Sequence, residues 1–260
     1  MPRHVVSPDA VPIACETSGA GPALVLVHGA GAARSGFDLL RPLLEARFTV
    51  TTVDRRGRGD SGDGEPPYAI EREFADVAAV MAEAGDSAVL CGHSYGALVA
   101  AGAAGLVPGL QKLVLYEPPM GGVLAGQAWI ERFQSRVQDG DRPAAMCEFL
   151  REVGGYSEAE IDALRDTAAW AQRLAAAPTV PRELWAEHAF RLESLELGSL
   201  SASCLMLLGS ESPRWARDST DAYAAALADV RVQLLEGHGH GGAVSAPELV
   251  ARELIDFLVA

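Results

Sequence analysis

The feature that most restricts how this chain can fold is a five-residue turn, Gly92-His93-Ser94-Tyr95-Gly96, set between two apolar runs. Residues 87–91 before it have the character of a buried strand, and residues 95–106 after it read as a helix. A strand that passes straight into a helix brings two backbones together, and only small residues at the flanking positions allow the approach. Gly92 and Gly96 occupy those positions. The same turn lifts the Ser94 hydroxyl above the sheet edge. The helix N-terminus beneath it offers free N–H groups and the positive end of a dipole to developing negative charge.

Around this turn the chain alternates strand-like and helix-like segments. Strands are expected at residues 11–16, 23–27, 48–53, 112–116, 203–208 and 230–234. Residues 23–27 are continuously apolar, as a strand buried on both faces should be. Helices are expected at 37–44, 71–84, 219–227 and 247–259, with Phe74, Val77, Ala78 and Met81 along one face of the second. Such alternation means a mostly parallel sheet with right-handed crossovers, an α/β fold. Between residues 120 and 197 only helical segments are found, at 129–137, 144–153, 158–174 and 182–192. The expected organisation is therefore a core of residues 1–119 and 198–260 with a helical block, 120–197, inserted into it. Its position after strand 112–116 suits a lid over a substrate pocket.

Acidic residues outnumber basic ones by 35 to 21, giving a formal charge of −14, and Lys112 is the lone lysine. Such a surface repels phosphate backbones and anionic membranes, so neither nucleic acid nor membrane is an expected partner. No run approaches the ~20 apolar residues of a membrane span. The first nine residues hold no uninterrupted apolar stretch of a secretory signal. Cys15, Cys91, Cys147 and Cys204 form no C-x-x-C pair and are expected as reduced, structural thiols of a cytoplasmic protein. A homodimer is compatible with the sequence.

With the turn around Ser94, the stretches His28-Gly29-Ala30-Gly31 and Asp54-Arg55-Arg56-Gly57-Arg58-Gly59-Asp60-Ser61 give the chain a pattern that resembles the α/β-hydrolase superfamily over essentially its whole length. The resemblance implies an α/β-hydrolase fold with a helical lid and a serine nucleophile at Ser94. It also implies an oxyanion hole made by the backbone N–H groups of Ala30 and Tyr95. His28 and His93 are expected to brace their loops, and the charges of residues 54–61 to form local ion pairs.

A serine hydroxyl is a weak nucleophile and needs a base within hydrogen-bond reach. In this superfamily the histidine follows the last strand, where Gly237-His238-Gly239-His240 offers two candidates. His240 follows a glycine and stands seven residues before Pro247, which matches the family pattern. The pair His238/His240 has no third ligand cluster nearby, so no metal is expected. Most relatives carry the orienting acid after strand 203–208, but that position holds Ser212. Glu117, followed by two prolines at the end of strand 112–116, is the preferred acid, and Glu211 is the alternative. A Glu at the position of Glu117 resembles zearalenone-type lactone hydrolases and certain haloalkane dehalogenases. A serine at the turn argues against dehalogenase and epoxide hydrolase chemistry, which use a carboxylate nucleophile there.

The implied function is a serine hydrolase that cleaves a small hydrophobic ester, lactone or thioester through an acyl-enzyme, without cofactor. Of Trp129, Phe133, Met146, Phe149, Tyr156, Trp170, Trp185 and Phe190 in the inserted block, most are expected to pack its interior and a few to line an apolar pocket. Two alternatives stay open: C–C bond hydrolysis or cofactor-free lyase or cyclase chemistry on the same fold, and non-catalytic capture of a small ligand. The choice between the histidines is directly testable. His240→Ala should abolish turnover of an activated ester while His238→Ala keeps it, and the reverse pattern would transfer the base to His238.

Overall fold

The computed structural model describes residues 2–259; Met1 and Ala260, the outer ends of the expected core, lie outside them. Eight strands form one sheet in the order β1-β2-β4-β3-β5-β6-β7-β8. They are β1 (Arg3–Val6), β2 (Pro12–Gly19), β3 (Ala23–Val27), β4 (Thr49–Val53), β5 (Val89–His93), β6 (Lys112–Tyr116), β7 (Ser203–Gly209) and β8 (Val230–Leu235). From β4 to β8 all neighbours run parallel, and β1 and β2 close one edge antiparallel. This is the α/β-hydrolase fold that the turn and the alternation imply.

Period-two alternation explains why the central strands are apolar throughout. Leu24 and Leu26 of β3 enter one core with Leu44 of α1 (Arg41–Glu45) and Val250, Ala251 and Leu254 of α11 (Pro247–Val259). Val25 and Val27 enter the opposite core with α2 (Ile70–Ala84) and α3 (Tyr95–Ala104). Every residue of α3 is buried, because the helix lies between the sheet and α2. Its run of alanines and glycines makes that close packing feasible: a Cβ on Gly102 would meet the Phe74 ring at 2.4 Å.

Between β6 and β7 the chain is helical: α4 (Gln127–Gln138), α5 (Arg142–Glu152), α6 (Glu158–Arg165), α7 (Ala168–Ala176) and α8 (Val180–Ala189). The expected helix 158–174 is two helices. A capping box of Ser157 and Glu160 opens α6, and Thr167 closes it by donating both its N–H and its hydroxyl to the Leu164 carbonyl. The expected helix 37–44 is likewise split into a 3₁₀ turn, Arg34–Phe37, and α1, whose second residue is Pro42. After β7 the helix begins earlier than expected, as α9 (Arg214–Ala226), and the short α10 (Gly242–Ser245) precedes α11. β1 was not expected; it is a four-residue edge strand in which only Val5 is buried, so it lacks an apolar alternation. Among the described residues, no helix is long and apolar enough to cross a membrane. The four cysteines are free and buried.

The ion pairs of residues 54–61 are not confined to the loop. Arg56 pairs with Asp76 of α2 and with Asp9. Arg55 pairs with Glu73 of α2 at 2.8 Å and with Glu183 of α8 at 2.6 Å, and Arg58 meets the same Glu183 oxygen at 2.7 Å. Buried guanidinium groups need carboxylate partners, and here the partners come from a core helix, an inserted helix and the turn between β1 and β2. Burial works against the charge on Arg55, but Glu183 and Glu73 more than offset it and hold the group protonated.

Glu187 of α8 lies at the root of the insert, where it accepts the Val123 N–H at 3.1 Å and leaves its second oxygen buried without a partner. Burial pushes its carboxyl up to about 7. A carboxyl whose folded pKa is raised is protonated in both states below about pH 4.5. Above that it ionises first in the unfolded chain, so stability falls until about pH 7 and then levels off. Melting curves between these limits should show wild type losing roughly 3 kcal/mol relative to Glu187→Gln; parallel pH profiles would contradict the burial of this charge.

Candidate active site

Ser94 caps the N-terminus of α3 at φ 57° and ψ −129°, a left-handed conformation that a side-chain-bearing residue adopts only when its surroundings impose it. The surroundings are backbone. Its N–H donates to the Tyr116 carbonyl at 2.8 Å, and its carbonyl accepts from Ala97 and Leu98 at 2.8 and 3.2 Å. A Cβ on Gly96 would lie 2.3 Å from the carbonyl oxygens of both Val27 and His28, and one on Gly92 would lie 2.3 Å from the Gly96 oxygen. The two glycines are therefore required sterically, on the strand side and on the helix side of the turn. The loop after β3 is equally close: a Cβ on Gly29 would sit 2.9 Å from the Ser94 Cβ.

That loop is fixed from below. The Arg55 N–H donates to His28 Nε2 at 3.2 Å, so Nδ1 carries the ring hydrogen and donates to the Gly29 carbonyl at 2.9 Å. Burial, then the charge of Arg55, pushes the His28 imidazole well below its ordinary pKa, which keeps it neutral. The Arg55 side chain also donates to the carbonyls of His28 and Gly29, at 2.9 and 3.0 Å. With its carbonyls held in this way, the loop keeps Ala30 on the wall of the cavity that Ser94 also lines. Among the described residues neither the Ala30 nor the Tyr95 N–H has an acceptor, and Tyr95 is the first residue of α3, where an N–H has no intrahelical partner.

The structure brings His240 and Glu117 together. His240, between two glycines on the loop after β8, has Nδ1 2.5 Å from Glu117 Oε2. A carboxylate only accepts, so Nδ1 carries the hydrogen and Nε2 keeps its lone pair. Glu117 is fully buried at the end of β6 with φ 47°. Its other oxygen accepts from the Gly209 N–H at 2.7 Å and from the Ser212 hydroxyl at 2.5 Å. Ser212, at the position where most relatives carry the acid, thus donates to the Glu117 carboxylate one strand away. Glu211 is exposed, and its N–H donates to the His238 carbonyl at 3.0 Å. The His240 loop is held by Tyr116, whose hydroxyl donates to the Gly239 carbonyl at 2.7 Å, and by His93, whose Nε2 donates to the His240 carbonyl at 2.9 Å. Burial, then the neighbouring His240, keeps His93 neutral as well.

Ser94 and His240 line one small cavity with Gly29, Ala30, His93 and residues of the insert. Of the inserted aromatics, Phe149 and Tyr156 reach it, whereas Trp129 and Phe133 stack on each other at 5.3 Å. Two cavity residues carried no sequence signal. Trp215 of α9 stands edge-on to the His240 ring at 5.1 Å and donates its indole N–H to the Val153 carbonyl, joining the His240 side of the site to the insert. Arg173 of α7 is a buried cation on the cavity wall. Among the described residues, no group of three or more His, Cys, Asp or Glu side chains is arranged to hold a metal ion.

Comparison with known proteins agrees with this fold. A family model described as the alpha/beta hydrolase family matches residues 24–253. The crystal structure of an alpha/beta hydrolase from Sphaerobacter thermophilus superposes with a TM-score of 0.83 at 33% identity, covering 98% of this chain and 99% of that one. N-formylmaleamate deformylase from Pseudomonas putida is 40% identical over 107 residues, which is 40% of each chain. A pimeloyl-[acyl-carrier protein] methyl ester esterase from Pseudoalteromonas atlantica is 38% identical over 101 residues, 38% of each chain. The matched region therefore spans about two-fifths of either curated relative.

If the carboxylate bonded to His240 orients it, Glu117→Gln should lower kcat by about 10²–10⁴-fold, while Glu211→Gln should stay within about twofold of wild type. Steady-state assays of the two variants on an activated ester distinguish them, and equal small losses would remove Glu117 from the chemistry.

Proposed function

The chain belongs to the alpha/beta hydrolase family, and on that premise we propose that it is a serine hydrolase of small carboxylic esters, lactones or thioesters, acting through an acyl-enzyme on Ser94. The observation that carries the reading is the buried 2.5 Å contact of His240 with Glu117, on the wall of the same cavity as the strained Ser94. His240 Nε2 takes the Ser94 proton as the hydroxyl oxygen attacks the carbonyl carbon. The N–H groups of Ala30 and Tyr95 receive the negative charge of the tetrahedral intermediate, each worth about 3 kcal/mol in comparable sites. Glu117 stabilises the imidazolium that forms. His240 then returns the proton to the leaving group, and water repeats the sequence to release the acid.

The insert acts as a lid in this reading. The cavity holds about 40 Å³, space for a few water molecules, so an organic substrate enters when α5 and α7, the inserted helices that line it, shift outward while α8 stays paired with Arg55. Hydrolysis of an amide is a second reading, favoured by the similarity to a protein named as a deformylase. The tetrahedral chemistry is the same, with a poorer leaving group to protonate.

A fluorophosphonate should label wild type and leave Ser94→Ala unlabelled. On a panel of esters, lactones and formamides, Ser94→Ala and His240→Ala should each lose about 10³-fold or more in kcat. Turnover that survives in Ser94→Ala would overturn the covalent route. Release of diketone-cleavage products, or tight ligand retention without turnover, would support the alternatives on this fold.

A further inference from the structure

Arg173 is the buried arginine that lacks a carboxylate. Arg55, Arg56 and Arg58, equally buried, each meet at least one Glu or Asp. Arg173, 7% exposed, donates Nη1 to the Gly31 carbonyl at 3.2 Å, and its Nε is buried with no acceptor. Among the described residues no acidic side chain pairs with it. It faces the cavity that Ser94 and His240 line and also a second, smaller one behind it, bounded by His28, Gly36 and Val244. Tyr156 lines both cavities beside it. Burial pushes the Tyr156 phenol up, and the nearby Arg173 charge pulls against that shift. A guanidinium is a planar fork with donors to spare, and a desolvated one without a counter-ion calls for an anion.

We propose that Arg173, assisted by Tyr156, binds a carboxylate of the substrate, so that the natural substrate is a carboxylate-bearing ester, lactone or amide such as a half-ester of a short dicarboxylic acid. The scissile-bond part of this assignment rests on the serine-hydrolase reading; the carboxylate part rests on Arg173 alone. Because Arg173 and Ser94 share one small cavity, the carboxylate and the scissile carbonyl belong to the same acyl unit, a few bonds apart. The apolar walls from Leu124, Phe149, Leu150 and Val153 take the intervening carbons. The expectation of a wholly hydrophobic substrate thus becomes one of an apolar body with a charged end. The bulk charge of −14 repels such an anion at a distance, so its recognition depends on this local cation.

Two nearly isosteric acyl groups test the proposal: mono(4-nitrophenyl) glutarate and 4-nitrophenyl 5-methylhexanoate, in which an isopropyl group replaces the carboxylate, assayed on wild type, Arg173→Gln and Arg173→Lys. Wild type should favour the charged ester by about tenfold or more in kcat/KM. Arg173→Gln should lower that ratio at least tenfold, mostly through KM, and Arg173→Lys should keep part of it. Each variant is compared with itself on two substrates, so a loss of folded enzyme cancels. An unchanged ratio would overturn the proposal and leave Arg173 as a brace for Gly31. Calorimetric titration of monomethyl glutarate into Ser94→Ala, with and without Arg173→Gln, separates the two readings. Binding weakened at least about tenfold by Arg173→Gln supports the carboxylate site even if neither ester is turned over. Absent binding, or equal affinities, overturns the site even if Ser94 is an active nucleophile.

Discussion

Arg55 is the constraint on which the rest of this structure leans. One buried guanidinium donates to the backbone of the loop beside Ser94, to Glu73 of a core helix and to Glu183 of the insert. A charge removed from water must have its donors satisfied in good geometry, so each of these partners is fixed relative to the others. The loop that leads to Ala30, the helix α2 that backs α3, and the helix α8 of the insert are thereby tied to one point. Its neighbours repeat the device: Arg58 shares Glu183, and Arg56 ties Asp76 to Asp9. The loop from which these arginines come holds none of Ser94, His240 and Glu117, yet it fixes the backbone beside Ser94.

A second exchange concerns the acid. β6 and β7 are paired in parallel, with Tyr116 opposite Leu207, so residues just beyond their ends lie side by side. A carboxylate from either strand can reach the same histidine. Here the strand that ends in Glu117 supplies it, and the neighbouring strand's loop answers with a hydroxyl and an N–H that bind its second oxygen. The left-handed φ of Glu117 turns the chain sharply after the strand, and two prolines follow. The side chain is buried among donors from Gly209, Ser212 and His240.

The insert does two kinds of work. Trp129, Phe133 and Phe149 pack on one another, which gives a row of short helices an interior of its own. A few of its residues turn toward the core and form the roof over Ser94, where Arg173 is a buried charge with no carboxylate partner among the described residues. In the proposed reading, a lone cation on an otherwise apolar roof tells acyl groups apart by their charge.

Local physics made much of this legible from residues alone. The glycines around Ser94 declare a backbone approach, the continuous apolar run of β3 declares burial on both faces, and the interrupted alternation after β6 declares the insert. The His-Gly loop and the late histidines were recognisable because family resemblance attaches to short, contiguous motifs. What stayed hidden depends on contacts between distant segments. β1 is stabilised by its neighbour rather than by a pattern of its own, and the break between α6 and α7 turns on where one threonine spends its hydrogen bonds. Whether Glu117 or Glu211 meets His240, and that Arg55 reaches Glu183 across 128 positions, follow from strand pairing and burial. The same holds for Arg173 and Trp215. Nothing in their sequence neighbours distinguishes them from surface residues, and only the folded chain carries them to the wall of one cavity.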